Sequence, residues 1–318
     1  MTAYIIRRLI QAIIVLLIVT ILVFFMMRLL PGDPVLMYLS SGDVAKVTPE
    51  QLQTIRHELG LDKPWLVQYF DWLGKAVRGD LGISIARRTT VASDMAQRVP
   101  VTLYLGIVAF IISLIIGIPA GVISAVRRGR WLDTTVTTLA NLGITVPIFW
   151  LGLILLYIFA LKLRILPVFG YTSPLVNFWQ STRQAIIPVF CLAVSAAAGT
   201  ARQTRSAMLE VMHQDYIRTA WSKGLTEWLV IARHALKNSL IPVVTLNGLI
   251  IRNIIGGSVL VETVFGIPGM GRLAVESIRA HDYPVIQGII LIIAVTVMLV
   301  NLLVDLSYGW LDPKIRYE

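Results

Sequence analysis

The chain has 318 residues, 56% hydrophobic and 14% charged, with a mean hydropathy of +0.76. Soluble domains carry roughly 45–50% apolar and about 25% charged residues, so a water-soluble globular fold is excluded and bilayer insertion is the reading that remains. The formal net charge of +10 would suit a nucleic-acid partner, but no such motif is present, and the basic residues flank apolar runs as they do at cytoplasmic helix ends.

The first apolar run, Leu9 to Leu30, follows Arg7 and Arg8. It is long enough to cross a bilayer and lacks a small-x-small cleavage site, so it reads as a retained helix, with residues 1–30 forming the N-terminus and first span. Residues 31–99 differ in character. Acids recur there (Asp33, Asp43, Glu50, Glu58, Asp62, Asp71, Asp80, Asp94) and no stretch could span a membrane, which marks an extracytoplasmic helical insertion. Thr48-Pro49-Glu50-Gln51 is a helix start, Leu52, Ile55 and Leu59 repeat at helical spacing, and Gly60 is a stop. A second amphipathic piece, Trp65 to Val77, carries Trp65, Tyr69, Trp72 and Leu73, which suit either a membrane interface or packing onto the bundle.

Residues 100–318 form a five-helix core, with spans expected at 101–126, 136–161, 185–201, 240–261 and 285–304 and a polar loop at 202–239. Gly117, Pro119, Pro147 and Pro188 interrupt these runs, which membrane helices tolerate when neighbours satisfy the freed backbone groups. The fourth span is the shortest and has room to extend as a helix into the cytosol. With the N-terminus inside, the cytoplasmic segments hold thirteen Lys and Arg, from Arg7 to Arg316, against five in the two short outside loops. The long first outside loop carries eight, but long loops weigh little, so six helices with both termini cytoplasmic fit best.

No Asp or Glu lies in the middle of any span, which argues against a proton-coupled secondary transporter. Arg252 is the one charge deep in a span; it either lines a translocation pathway or pairs structurally at a helix interface. The chain lacks a P-loop, so any ATP must be bound elsewhere, and its four histidines are scattered, so no metal site is expected. Cys191 stands alone within an apolar run. Ser113, Ser195 and Ser258 have no nearby base that would make an intramembrane nucleophile.

The most informative stretch follows the fourth span. Asp215 is placed as an N-cap, Tyr216 to Lys223 as about two turns of helix, and Gly224 as the left-handed residue that ends it. Tyr216, Thr219, Ala220 and Lys223 share one face. A helix this short is unstable alone, and its spacing suits either a partner's groove or the surface of the inner leaflet.

The segment D-Y-I-R-T-A-W-S-K-G-L, Asp215 to Leu225, followed by R-H-A-L-K-N-S-L-I-P-V-V-T, resembles the cytoplasmic coupling loop of ABC importer permeases, and more narrowly the oligopeptide/dipeptide permease family. The general importer pattern has Glu-Ala-Ala, three residues, then Gly; here Arg218-Thr219-Ala220 precedes Gly224, a departure typical of the peptide branch. Further matches are P-G-D-P at Pro31 to Pro34, G-L-D-K-P at Gly60 to Pro64, G-D-L-G-I-S at Gly79 to Ser84, V-E-T-V-F-G-I-P-G-M-G-R at Val261 to Arg272, D-Y-P-V-I-Q at Asp282 to Gln287, and the C-terminal N-L-L-V-D-L-S-Y-G-W-L-D-P-K-I-R-Y.

The resemblance implies an all-α permease of the type I importer kind in the bacterial inner membrane. It implies a paralogous permease as pore partner, two ATPase subunits that carry ATP and Mg, an extracytoplasmic binding protein, and no enzymatic activity or cofactor in this chain. It places Asp215 to Gly224 as the docking helix for the ATPase, with Glu210, Arg218 and Lys223 as polar contacts. Dipeptides, oligopeptides, glutathione or a nickel complex are the implied cargoes.

Overall fold

The computed structural model describes residues 2–29, 50, 53, 54, 57 and 61–311. The motif at Pro31 to Pro34, the helix signals at Thr48, Pro49, Gln51, Leu52, Ile55, Leu59 and Gly60, and the chain from Asp312 onward lie outside the described residues. The described residues form α1 (Thr2–Leu29), α2 (Trp65–Val77), α3 (Val91–Val126), α4 (Trp131–Thr145), α5 (Ile148–Leu155), α6 (Phe178–Met212), α7 (Asp215–Ser222), α8 (Lys237–Val264), α9 (Met270–Arg279) and α10 (Tyr283–Leu311). Leu156–Lys162 and Val230–Leu236 are π-helical, and among the described residues β pairing is limited to one bridge, Ile83 with Thr90.

Four segments are long and apolar enough to cross a membrane: Ile6–Leu29, Val91–Val126, Phe178–Met212 and Tyr283–Leu303. Counting each of two bent helix pairs as one span gives up to six, the number expected. The third expected span, 136–161, is not one straight helix. Trp131–Thr145 and Ile148–Lys162 meet at 101°. The cause is local: Pro147 lacks an N–H, and its ring drives the preceding residue out of the helical region, so Val146 is extended at φ −68° and ψ 125°. By contrast, Pro100, Pro119 and Pro188 are accommodated inside α3 and α6.

The structure forms two compact units. The larger contains Pro100–Arg272. Its apolar core gathers Leu105, Ala109, Cys191, Leu192, Val261 and Phe265, all buried. Within this unit α3 meets α6 backbone to backbone. A Cβ added to Gly117 would lie 2.8 Å from the Ala197 carbonyl oxygen, and one at Gly121 would lie 2.5 Å from that of Ala201. The two glycines are four residues apart and face Ala197, Thr200, Ala201 and Thr204, the small-residue packing that joins helices in lipid.

The second unit contains the described residues of Ile6–Val99 together with Leu273–Leu299. Here α2 packs on α1. The Tyr69 ring is buried edge-on to Phe24, with centroids 5.5 Å apart, and the Tyr69 hydroxyl is 2.9 Å from Thr20 Oγ1. Arg28 donates to Gln68 Oε1 from both Nε and Nη2, at 3.1 and 2.9 Å. Tyr69 therefore serves packing, while Trp65 and Phe70 stay exposed. The Gly79 to Ser84 and Asp282 to Gln287 motifs also meet in this unit. The buried Asp282 carboxylate accepts from Ser84 Oγ and from the N–H groups of Ile85 and Ala86, the last two at 3.1 and 3.2 Å. Arg87 bridges Glu276 at 3.1 Å and Asp94 at 3.4 Å.

Candidate functional site

The expected fourth span, 185–201, is the middle of a 35-residue helix, α6, which continues to Met212. An ion pair fixes this extension. Arg205 donates from Nε and Nη2 to the two oxygens of Asp133, at 2.7 and 2.9 Å. The same carboxylate accepts from Ser124 Oγ at 2.5 Å and from the Gly129 N–H at 2.9 Å. A bidentate guanidinium–carboxylate pair is directional as well as strong, so it sets the angle between the start of α4 and the latter part of α6.

Beyond Met212 the chain turns into α7. Gln214, not Asp215, occupies the N-cap position, with extended backbone at φ −75° and ψ 147°. Asp215 is already helical and makes no side-chain cap bond. This corrects the assignment of Asp215 as the cap. Its carboxylate is 98% exposed, lies 3.6 Å from Arg218, and acts as first-turn acid against the helix dipole. At the other end Lys223 is the C-cap and Gly224 follows at φ +77°, the left-handed conformation expected of it.

The eight-residue helix is held by two side chains. Ile217 and Ala220 are buried against Ala125, Met208, Val230, Ile231 and Ala235. Burying Ile217 supplies about 2 kcal/mol, which offsets the intrinsic instability of so short a helix. The expected common face of Tyr216, Thr219, Ala220 and Lys223 is therefore divided. Ala220 points into the core, because Ile217 and Ala220 at i, i+3 form the only face apolar enough to bury. Tyr216 is exposed and its hydroxyl accepts from Asn238 Nδ2 at 3.1 Å. Thr219 bonds back to the Asp215 carbonyl at 3.0 Å.

The outward surface of α7 presents Asp215, Arg218, Thr219, Trp221, Ser222 and Lys223. Glu210, exposed near the end of α6, lies close by in sequence. Trp221 was not singled out in the sequence, although an indole left 43% exposed beside Arg218 is typical of a binding surface. The π-helical turn Val230–Leu236 then carries Val230, Ile231 and Ala235 back under α7 before α8 begins. Arg252 lies on α8, and its side chain falls outside the described residues.

A second feature escaped the sequence reading. Glu262, counted as lying outside the apolar run, belongs to α8 and is fully buried. It accepts from Thr102 Oγ1 at 2.6 Å, from the Arg272 N–H at 3.0 Å, and from the Gly271 N–H and the Ser258 hydroxyl. The carboxylate thus caps the first turn of α9, where N–H groups have no helical partner. Gly269 and Gly271 leave room for it and for Val259; a Cβ at Gly269 would strike the Glu262 carboxyl, and one at Gly271 the Val259 backbone. The Val261 to Arg272 motif is a mechanical joint between two helices.

Known proteins resemble the whole chain. The family described as "Binding-protein-dependent transport system inner membrane component" matches residues 117–317, and its N-terminal counterpart matches residues 1–106. A putative peptide transport system permease protein of Brucella abortus is 45% identical over 318 residues, covering all of both chains. The glutathione transport system permease protein GsiC of Escherichia coli is 41% identical over 318 residues, again covering both chains fully. Among solved structures, a chain of the methionine ABC transporter MetNI in an inward-facing conformation superposes with a TM-score of 0.58 at 20% identity, covering 69% of this chain and 96% of that one, which supports the same helical fold. With family matches over most of its length and full-length relatives above 40% identity, the chain belongs to the binding-protein-dependent transport system inner membrane component family of ABC importer permeases.

Proposed function

We propose that this permease carries peptides into the bacterial cytoplasm, and that α7 is the lever through which separate ATPase subunits drive it. The observation that carries the lever is the division of α7 into a buried edge, Ile217 and Ala220, and an outward surface with Arg218, Trp221 and Lys223. A helix locked from beneath and polar above transmits a push rather than absorbing it. Asp133 and Arg205 stiffen the neighbouring end of α6, so force on α7 reaches a membrane-crossing helix. The Lys and Arg distribution favours both termini, and α7 with them, on the cytoplasmic side.

The cargo class rests on the full-length relatives, named as peptide and glutathione permeases. The assembly completing the pathway comprises a paralogous permease, two ATPases that hold ATP and Mg, and an extracytoplasmic binding protein met by the segment 31–99. The test is reconstitution of the assembled importer in liposomes. Uptake of a radiolabelled dipeptide should require both ATP and the binding protein, and Arg218→Glu or Gly224→Pro should abolish ATPase co-purification while the chain still inserts. Gradient-driven uptake by this chain alone, or unchanged ATPase association in both variants, refutes the reading.

A further inference from the structure

Between the π-helical end at Lys162 and the start of α6 the chain forms a cavity of about 470 Å³, lined by Arg164, Asn177, Trp179, Gln180, Arg183 and Gln184 among others. Its size falls within the range of small-molecule sites. Its charge is one-sided: no Asp or Glu occurs anywhere between Asp133 and Glu210, while Lys162, Arg164 and Arg183 cluster here. Arg164 and Arg183 make no ion pair among the described residues; Arg183 has only a long bond to the Ile165 carbonyl at 3.4 Å. Arg164 is held at φ +55°, a backbone region that a non-glycine residue adopts at a cost. The Gln184 Oε1 is buried without a hydrogen-bond partner, an acceptor waiting for a hydroxyl or N–H.

The chain on either side of Asn177, which lines the cavity together with Trp179, is apolar. Leu175, Val176, Phe178 and Trp179 are 96%, 81%, 60% and 76% exposed, and Phe178 is the first residue of the long membrane-crossing helix α6. Four large apolar side chains beside a span, near two guanidinium groups that form no ion pair among the described residues, match the boundary between acyl chains and headgroups. The helix N-terminus adds little itself, because Asn177 Oδ1 already accepts from the Gln180 N–H at 3.0 Å.

We propose that this cavity binds the headgroup of an anionic phospholipid, with Arg164 and Arg183 on the phosphodiester, Gln184 Oε1 accepting from a headgroup hydroxyl, and Leu175 to Trp179 among the acyl chains. The α6 helix is about 50 Å long at 1.5 Å per residue, so the site lies in the leaflet opposite α7. The lipid fixes the start of the same helix whose far end Arg205 fixes. The site does not depend on which solute is carried.

The test is native mass spectrometry of the purified full importer titrated with phosphatidylglycerol or phosphatidylcholine. Phosphatidylglycerol should be retained preferentially. Arg164→Gln should weaken retention about fivefold and the Arg164→Gln/Arg183→Gln pair roughly twentyfold, since each surface cation contributes on the order of 1 kcal/mol to anionic-lipid binding. Arg164→Lys/Arg183→Lys should restore most of it, which separates charge from folding, and Arg164→Gln alone alters only an exposed side chain. Excess inorganic phosphate should leave lipid retention unchanged; displacement by phosphate would assign the site to a free anion and overturn the lipid assignment. Equal retention of phosphatidylglycerol by the wild type and the Gln pair overturns it as well. So does a Gln pair that loses capture of the binding protein while keeping its lipid, which would identify an acidic protein surface as the occupant.

Discussion

Thr102 on α3 and Glu262 on α8, 160 residues apart, share a 2.6 Å hydrogen bond in which the threonine hydroxyl donates. The same oxygen of Thr102 accepts from the Met270 N–H at 2.8 Å, so one side chain ties together α3, the end of α8 and the start of α9. A buried carboxylate is costly unless its oxygens are satisfied. Here four donors converge on it.

Glu262→Ala removes the acceptor shared by the Thr102 and Ser258 hydroxyls and the Gly271 and Arg272 N–H groups. The expected loss is about 3 kcal/mol or more, from unsatisfied donors plus the void. Thr102→Val should cost about 1–2 kcal/mol, because the carboxylate keeps its other donors. Thermal unfolding of the detergent-solubilised protein checks the order; equal midpoints for Glu262→Ala and wild type would contradict it.

Arg205→Ala strands the Asp133 carboxylate, which is 6% exposed. With the arginine side chain still 29% exposed, the expected cost is roughly 2 kcal/mol, below that of a fully buried pair. A double-mutant cycle with Asp133→Asn should show a coupling energy of about 1 kcal/mol or more, read from unfolding midpoints. Additivity of the two single losses would mean that the pair carries no directional role.

Gly121→Val pushes a branched side chain into the Ala201 carbonyl oxygen, 2.5 Å from the position of its Cβ. Backbone cannot yield as a flexible side chain can, so α3 must move off α6 at a cost of about 1–3 kcal/mol. The expected result is a lower unfolding midpoint and a reduced monodisperse fraction on size-exclusion chromatography. Gly74→Ala, where nothing lies within 4 Å of an added Cβ, is the control and should behave as wild type.

Ile217→Asp places a charge at the buried anchor of α7 and should release the helix from its bed. ATPase association, measured by co-purification, should fall more than tenfold, while membrane insertion continues. Trp221→Ala leaves the bed intact and removes an exposed aromatic; it should weaken ATPase binding by about 1–2 kcal/mol without changing the unfolding midpoint. Unaltered ATPase binding in both variants would refute the assignment of this surface.

Much of the molecule is legible in the linear chain. The runs of apolar residues announce the spans, and Asp215 to Gly224 announces a short helix with its glycine stop, though not the residue at its N-cap. What is not legible is orientation. Ala220 appears beside Tyr216 and Thr219 on a helical wheel, yet it turns inward because Met208 and Val230 approach from other parts of the chain. Glu262 reads as one letter past an apolar run, and Arg205 as one more basic residue in a loop. Their partners, Thr102 and Asp133, are 160 and 72 residues away, and no local pattern links them.

By itself, the sequence determined the class of this protein, the number of crossings, the position of its polar helix and its kinship, because hydrophobic run length and turn chemistry act over a few to some twenty residues. The tertiary structure alone decided which carboxylates are buried, where α3 and α6 touch, and that Pro147 bends a span instead of merely interrupting it. The reason is physical: a buried charge or a glycine contact is stable only once a distant segment supplies the donor or the facing surface.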